Sequence, residues 1–151
     1  MLARSQAGFV RSGFQAAQDR AVGAVFIISG DLLGYQALAD RLQPVVAAGQ
    51  MDQATADGWV AFAQSAFHEQ PQAQRDEAIR SASLAAMALM LAATEAGWAS
   101  CPMSGFDPAA VRKLAGLPES HLPVLLVAVG KAAAAQAQKV RAPVEQVWRR
   151  I

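Results

Sequence analysis

Apolar residues fall into short unbroken runs and longer periodic stretches along the chain, and these predict strands and helices respectively. The predicted strands are Gly23–Ser29, Trp98–Met103 and His121–Gly130. The first and last runs are apolar at nearly every position, which is typical of a strand whose two faces are both covered. Residues 1–20 are polar and weakly patterned, so they form either a short helix or irregular chain.

Helical spacing of apolar residues fills the interval between the first two strands. One such stretch begins near Leu33, and we expect Pro44 to break or kink it. A second helix is predicted to begin around Asp52 or Thr55. The polar segment HEQPQAQ that follows it is predicted to be a loop.

The strongest helical signal runs from Gln74 to Gly97. Its first residues are charged, and its later residues are apolar on nearly all sides. Gly97 is placed to end this helix as a C-cap. A helix that is apolar all round belongs at the centre of a domain or at a subunit interface.

A short helix after the second strand carries clear start and stop signals. Asp107 is an N-cap residue, Pro108 suits the first helical position, and Gly116 suits the end. After the third strand, KAAAAQAQ is compatible with a helix or a loop, and APVEQVWRR predicts a short turn or helix.

Strands alternate with helices along the chain, which predicts a central sheet that helices cover on both faces. The chain has 151 residues, which predicts a single domain over residues 1–151. Hydrophobic residues make up 54% of the chain and charged residues 17%, and much of the apolar excess is alanine. Alanine favours helices and close helix packing. The apolar excess is also compatible with a second subunit that covers part of the surface.

Net charge and cysteine content limit the classes of partner and the cellular compartment that we expect. The net charge of +1 gives no electrostatic case for binding nucleic acid. Cys101 is the only cysteine, so neither an internal disulfide nor a thiolate metal cluster is expected. The N-terminus lacks the apolar core of a secretory signal, and the longest apolar stretch, around Ala85–Ala93, is shorter than the roughly 20 residues of a membrane span. These features predict a cytoplasmic protein without a membrane partner.

The sequence contains no recognisable catalytic triad or metal motif. His68 and His121 are the only histidines, and both are interpreted as ordinary surface or strand-edge residues. No ligand spacing indicates zinc, and no glycine-rich nucleotide motif is present. Cys101 has no identifiable base near it and is interpreted as inert, buried packing. No catalytic residue is therefore predicted.

Two short segments each have a functional and a structural interpretation. In PMSG, Pro102 lacks an N–H donor and Gly105 permits close backbone approach, so the amides of Ser104 and Gly105 can face an acceptor-rich ring. The alternative is a plain strand-to-helix turn. Lys139 and Arg141 lie two residues apart, which suits a phosphate, although a solvated basic tail is the alternative. Local sequence alone favours the structural alternative in both segments.

The order of these motifs resembles the flavin-dependent nitroreductase family. A long helix, a glycine, a short strand, PMSGFD, a short helix, GLP, the strand HLPVLLVAVG and finally KVRAPVEQVW follow one another as in that family. The resemblance is close over residues 75–148 and looser over residues 23–74. No single motif is specific, whereas the ordered set is.

This resemblance implies a fold, an activity and a set of binding residues. The family is an α+β sandwich that forms a homodimer with FMN at the dimer interface. Its members take a hydride from NADH or NADPH and pass electrons to nitroaromatics, quinones or similar acceptors in a ping-pong cycle. The cofactor-binding residues it implies are Pro102, Met103, Ser104, Gly105, Lys139 and Arg141. The first four would line the isoalloxazine ring, and the last two would hold the FMN phosphate.

The sequence departs from the family pattern near its start. The family's basic R-x-S-x-R-x-F segment and its S-x-x-N-x-Q-P-W segment are not found, the chain contains no Asn, and no Lys precedes Lys113. We therefore expect an N-terminally shortened member that lacks the usual N-terminal FMN-binding segment. The alternative is a non-catalytic, flavin-free remnant of the same fold that still dimerises.

Overall fold

The computed structural model of the chain describes residues 22–132 and 139–150. The predictions for residues 1–20 and for most of the KAAAAQAQ segment therefore lie outside the described residues. The described elements, in chain order, are β1 (Val22–Asp31), a 3₁₀ turn (Gly34–Ala37), α1 (Leu38–Ala47), α2 (Gln53–Phe67), α3 (Pro71–Glu95), β2 (Ala99–Met103), α4 (Pro108–Leu114), β3 (His121–Gly130) and α5 (Val144–Val147).

The described strands form an antiparallel sheet in the order β1-β3-β2, so that β3 is central. Asp31 pairs with His121 at one end of the β1–β3 ladder. Ala99 pairs with Gly130 where β2 begins. All three predicted strands are confirmed, although β1 continues past Ser29 to Asp31.

The two long strands differ in how their faces are covered. In β3, the consecutive residues Leu126, Val127 and Ala128 are all buried, and consecutive strand residues point to opposite faces, so both faces of β3 are covered as predicted. In β1, the consecutive residues Phe26 and Ile27 remain 42% and 38% exposed. The prediction that β1 is covered on both faces is therefore wrong for the described chain. At the edge of the sheet, the side chains of β1 have a described neighbouring strand on one side only.

The long helix α3 packs on the sheet through its smallest side chains. Its buried residues are Ala78, Ala82, Ala86 and Ala93, whose spacing places them on one face. Gly30 of β1 lies so close to Ala78 that a Cβ on Gly30 would overlap the Ala78 carbonyl group and lie 2.7 Å from the Ala78 Cβ. Small residues on both elements therefore permit the close approach of helix and sheet.

The opposite face of α3 carries large apolar side chains that the described chain leaves uncovered. Leu84, Met87 and Leu91 are 68%, 52% and 60% exposed. The predicted central helix is confirmed, but its burial is one-sided. By length and composition alone α3 is able to cross a membrane. Its contacts with β1, β2 and β3 account for the small apolar residues on its sheet face, not for these three large ones.

Two predictions about helix boundaries need correction. Pro44 does not break α1, which continues through it to Ala47, and a kink at Pro44 stays a prediction. Pro44 and Asp40 are both exposed, so water can replace the hydrogen bond that the Asp40 carbonyl loses. α3 begins at Pro71, inside the segment predicted to be a loop, because proline suits the first turn of a helix.

The helix ends follow their capping residues. Asp52 caps α2 by accepting hydrogen bonds from the backbone N–H of Thr55 at 2.7 Å and from its hydroxyl at 2.9 Å. The backbone hydrogen bond from Thr55, helped by the one from its hydroxyl, lowers the pKa of Asp52. Asp107 caps α4 as predicted. Gly97 and Gly116 have φ values of +78° and +63°, a conformation that favours glycine and ends α3 and α4 as predicted.

Candidate functional site

The candidate flavin loop is PMSG, residues 102–105, where β2 ends and the chain turns toward α4. Pro102 and Met103 are the last residues of β2 and pair with Val127 and Leu126 of β3. A proline is compatible with this strand because β2 lies at an edge of the described sheet, where one N–H faces away from the ladder. The central strand β3 therefore fixes where the loop begins.

The second half of the loop presents exposed backbone. Ser104 and Gly105 are both exposed, and the Ser104 carbonyl accepts a hydrogen bond from the Phe106 N–H at 3.0 Å. Within the described ranges, the amides of Ser104 and Gly105 donate no turn or loop hydrogen bond. No heavy atom lies within 4 Å of the position that a Cβ on Gly105 would take. This geometry leaves donors and open space for a flat ligand, and Asp107, capping α4, anchors the far end of the loop.

The candidate phosphate residues lie in the C-terminal segment, after residues 133–138, which are outside the described residues. Lys139 and Arg141 are exposed, and Val140 between them is 100% exposed. Neither cation forms an ion pair or a side-chain hydrogen bond with another described residue. Both charges are therefore available to a ligand, and their joint action with PMSG stays a prediction.

The remaining candidate residues behave as solvent-facing groups, with one correction. His68 is exposed beside Glu69, with Nε2 and Oε1 3.9 Å apart, and His121 is half-buried beside Ser120. Cys101 is exposed, so its interpretation as buried packing is wrong. The reason is again the edge position of β2, which leaves one side of the strand without a described neighbour. Among the described residues, no group of His, Cys, Asp and Glu is arranged to hold a metal ion.

Sequence reasoning missed a cleft of about 240 Å³ beside β1. Its lining comes from the loop after β1, from α1, from the end of α2 and from the first turns of α3. Residues so far apart in the chain form no local motif, so no sequence pattern indicated this cleft.

The fold agrees with comparisons to known proteins. The sequence profile of the nitroreductase family matches residues 9–131. Since this match covers most of the chain, the protein belongs to the nitroreductase family.

Two relatives illustrate the similarity and its limits. MhqN of Bacillus subtilis (strain 168), which carries the name of an NAD(P)H nitroreductase, is 38% identical over 109 residues, which are 72% of this chain and 53% of MhqN. Protein DrgA of Synechocystis sp. (strain ATCC 27184 / PCC 6803 / Kazusa) is 48% identical over 67 residues, which are 44% of this chain and 32% of DrgA. The chain thus spans about half the length of MhqN and a smaller part of DrgA.

Solved structures show the same fold. The nitroreductase-type protein YdfN of Bacillus subtilis superposes with a TM-score of 0.77 and 33% identity, over 86% of this chain and 64% of YdfN. A nitroreductase-type protein of Exiguobacterium sibiricum, solved in complex with FMN, superposes with a TM-score of 0.77 and 26% identity, over 86% of this chain and 63% of that protein. The predicted nitroreductase-like sandwich is therefore confirmed.

Proposed function

We propose that this chain is an FMN-dependent NAD(P)H oxidoreductase that reduces nitroaromatics, quinones or similar acceptors. The observation that carries the proposal is the exposed loop at residues 102–105, with free amides and open space at Gly105, in a member of the nitroreductase family. An oxidoreductase role is what the name of MhqN indicates for that relative. FMN is the ligand of the similar protein from Exiguobacterium sibiricum.

The residues of the loop fit one edge of an isoalloxazine ring. Pro102 and Met103 supply apolar atoms beside the ring, and the amides of Ser104 and Gly105 donate hydrogen bonds to its acceptor atoms. Gly105 matters because a side chain there would occupy the space that the ring needs. When bound, FMN accepts a hydride from NADH or NADPH and passes electrons to the acceptor. In this proposal the protein binds FMN, orients it and shields it from water. No side chain of this loop transfers a proton.

Lys139 and Arg141 are proposed to hold the FMN phosphate. Arginine offers a planar pair of N–H donors to phosphate oxygens, and lysine adds a compact positive charge. Both side chains are exposed and unpaired among the described residues, so binding a phosphate breaks no existing contact of theirs. The site requires the C-terminal segment to lie within reach of PMSG in the bound state.

The working form is proposed to be a homodimer in the cytoplasm. Leu84, Met87 and Leu91 form an apolar face on α3 that a second copy of the chain would cover. A lone, exposed Cys101 is in keeping with a reducing compartment, where NADH and NADPH are the available hydride donors.

The same apolar face also supports the rival function, a flavin-free dimer without catalysis. Both proposals predict association through α3, and only the first predicts a bound flavin. A purified protein that is yellow and oxidises NADH or NADPH with a quinone supports the enzyme. A colourless protein that FMN fails to stabilise thermally supports the remnant.

Paired alanine variants test the phosphate residues. Replacing Lys139 and Arg141 together with alanine is expected to weaken FMN binding by about 2–4 kcal/mol, since charge-assisted hydrogen bonds contribute roughly 1.5–3 kcal/mol each and are not additive. The matched control replaces Arg149 and Arg150, which removes the same charge from the same segment. Equal FMN affinities of the two double variants would refute the phosphate assignment.

A further inference from the structure

The cleft beside β1 combines half-buried polar groups with an aromatic wall. Its volume is about 240 Å³, and its lining includes Asp31, Tyr35, Arg41, Phe67, Gln74 and Glu77. A cavity of roughly 150 Å³ is large enough for a benzene ring, so this one admits a ring with a short polar chain. The cleft adjoins β1, whereas PMSG follows β2 on the other side of β3.

Two polar groups of the cleft are already occupied by protein partners. Glu77 accepts hydrogen bonds from the Ser81 hydroxyl at 2.8 Å and from the Arg80 guanidinium, with which it forms an ion pair. Gln74 donates from Nε2 to the Phe67 carbonyl at 2.7 Å. These contacts fix the walls of the cleft and leave little of either group for a ligand.

Asp31 and Arg41 are the charges that remain available. Asp31 uses Oδ1 to accept a hydrogen bond from the Leu33 N–H at 3.0 Å, and Oδ2 has no donor among the described residues. Arg41 forms no ion pair or hydrogen bond within the described part of the chain. The carboxylate of half-buried Asp31 and the guanidinium of exposed Arg41 therefore line the same cleft, and neither Oδ2 nor the guanidinium has a partner among the described residues.

Gly34 shows how near these two charges lie to each other. A Cβ on Gly34 would lie 3.9 Å from Asp31 Oδ2 and 4.0 Å from Arg41 Nη1. The two atoms are therefore no farther apart than the sum of these distances, yet they do not form an ion pair. Opposite charges within this limit, yet too far apart to pair directly, suit a ligand that carries an ammonium and a carboxylate group on the same carbon atom.

Two aromatic rings supply the apolar part of the site. The rings of Tyr35 and Phe67 have centroids 6.0 Å apart and are inclined by 38°. Both side chains are half-buried and line the cleft beside the two charges. A third ring packed against such a tilted pair gains contact area and favourable ring geometry.

We propose that this cleft binds a free α-amino acid with an aromatic side chain. The ammonium group of the ligand donates to Asp31 Oδ2, its carboxylate accepts from Arg41, and its ring packs against Tyr35 and Phe67. The site is separate from the proposed flavin loop and does not depend on a bound flavin.

Calorimetric titration of the full chain tests the proposal with three related compounds. L-Phenylalanine carries both charges, phenethylamine lacks the carboxylate, and 3-phenylpropionate lacks the ammonium group. We expect saturable binding of L-phenylalanine and binding at least about tenfold weaker for each compound with one charge. Absence of saturable L-phenylalanine binding, or equal affinity for phenethylamine, would overturn the proposal.

Matched variants locate the binding. Asp31→Asn removes the negative charge and keeps the acceptor for the Leu33 N–H. Arg41→Gln removes the positive charge. Gly34→Ala adds a methyl group at ordinary contact distance from the side chains of both Asp31 and Arg41. Each is expected to weaken L-phenylalanine binding by about tenfold or more. Asp40→Asn and Arg75→Gln, exposed neighbours outside the lining, are the controls and should bind as the wild type does. Wild-type affinity in both Asp31→Asn and Arg41→Gln would show that L-phenylalanine binds elsewhere and would contradict the assignment.

Discussion

The two faces of α3 carry apolar side chains that differ in size and in exposure. Toward the sheet, the helix presents small alanines, and Ala86 is fully buried. Away from the sheet, it presents Leu84, Met87 and Leu91, which are all more than half exposed. Three large apolar side chains of the helix are thus on the face that the described chain does not cover, whereas Leu89 and Met90 are half-buried.

The two faces of α3 differ in whether they contribute to packing within the described chain. Alanines and Gly30 permit close helix–sheet contact, which a larger residue on either side would prevent. Exposed leucine and methionine side chains add nothing to that contact, and each contributes about 1.5–3 kcal/mol only when it is buried. The alanine face therefore serves folding, and we propose that the leucine–methionine face serves association.

The largest expected effect is on the packed face. Gly30→Ala should reduce the free energy of unfolding by about 3 kcal/mol or more, because the new Cβ overlaps the backbone of Ala78 and forces β1 away from α3. Chemical denaturation of the variant measures this loss. Gly23→Ala is the matched control in the same strand, since its Cβ would meet only the Val129 carbonyl oxygen, at 3.5 Å. Similar stabilities of the two variants would disprove the close contact of β1 with α3.

The next effect is on the exposed face. Leu91→Glu should leave the fold intact but weaken self-association at least about tenfold, or roughly 1.4 kcal/mol, because it places a charge in an apolar interface. Sedimentation equilibrium of wild type and variant gives both constants. Leu114→Glu makes the same replacement at a leucine that is 77% exposed on α4, outside this face, and should associate as the wild type does. If both variants associate as the wild type does, the leucine–methionine face has no role in assembly.

The smallest expected effect lies outside α3, at the start of α2. It shows how much stability changes when neither face of α3 is altered. The lowered pKa of Asp52 means that its ionised form stabilises the folded state. This contribution is present above the unfolded-state value of 3.8 and is lost as the pH falls through the lower folded-state pKa. Asp52→Asn keeps a capping side chain, so its melting temperature should fall slightly below the wild-type value at neutral pH and match it in acid. A difference that persists unchanged in acid would exclude ionisation of Asp52 as its cause.

The sequence predicted those elements whose signals are local. Asp107, Pro108 and Gly116 defined α4 because capping depends on neighbouring residues, and the continuous apolar run of β3 predicted its burial on both faces. Pro44 does not break α1, because a single exposed proline reduces helix stability without always ending the helix. The exposure of Cys101 depends on which strand lies at the sheet edge, and this order is not encoded near Cys101.

The candidate sites also differ in whether their signal in the sequence is local. The PMSG turn was predicted from its own residues, and the structure places it at the end of an edge strand with open space at Gly105. Its relation to Lys139 and Arg141 depends on distant parts of the fold and stays a prediction. The cleft beside β1 had no signal in the sequence, because Asp31, Arg41 and Glu77 come from separate elements.

The central claim is that the turn at residues 102–105 binds FMN in this member of the nitroreductase family. Titration of FMN into the purified, flavin-stripped chain, followed by quenching of flavin fluorescence, tests it most directly. We predict a saturable transition at one FMN per chain that Gly105→Val weakens strongly, because its side chain fills the open space beside the loop. A titration without saturation, or one that Gly105→Val leaves unchanged, would contradict the claim.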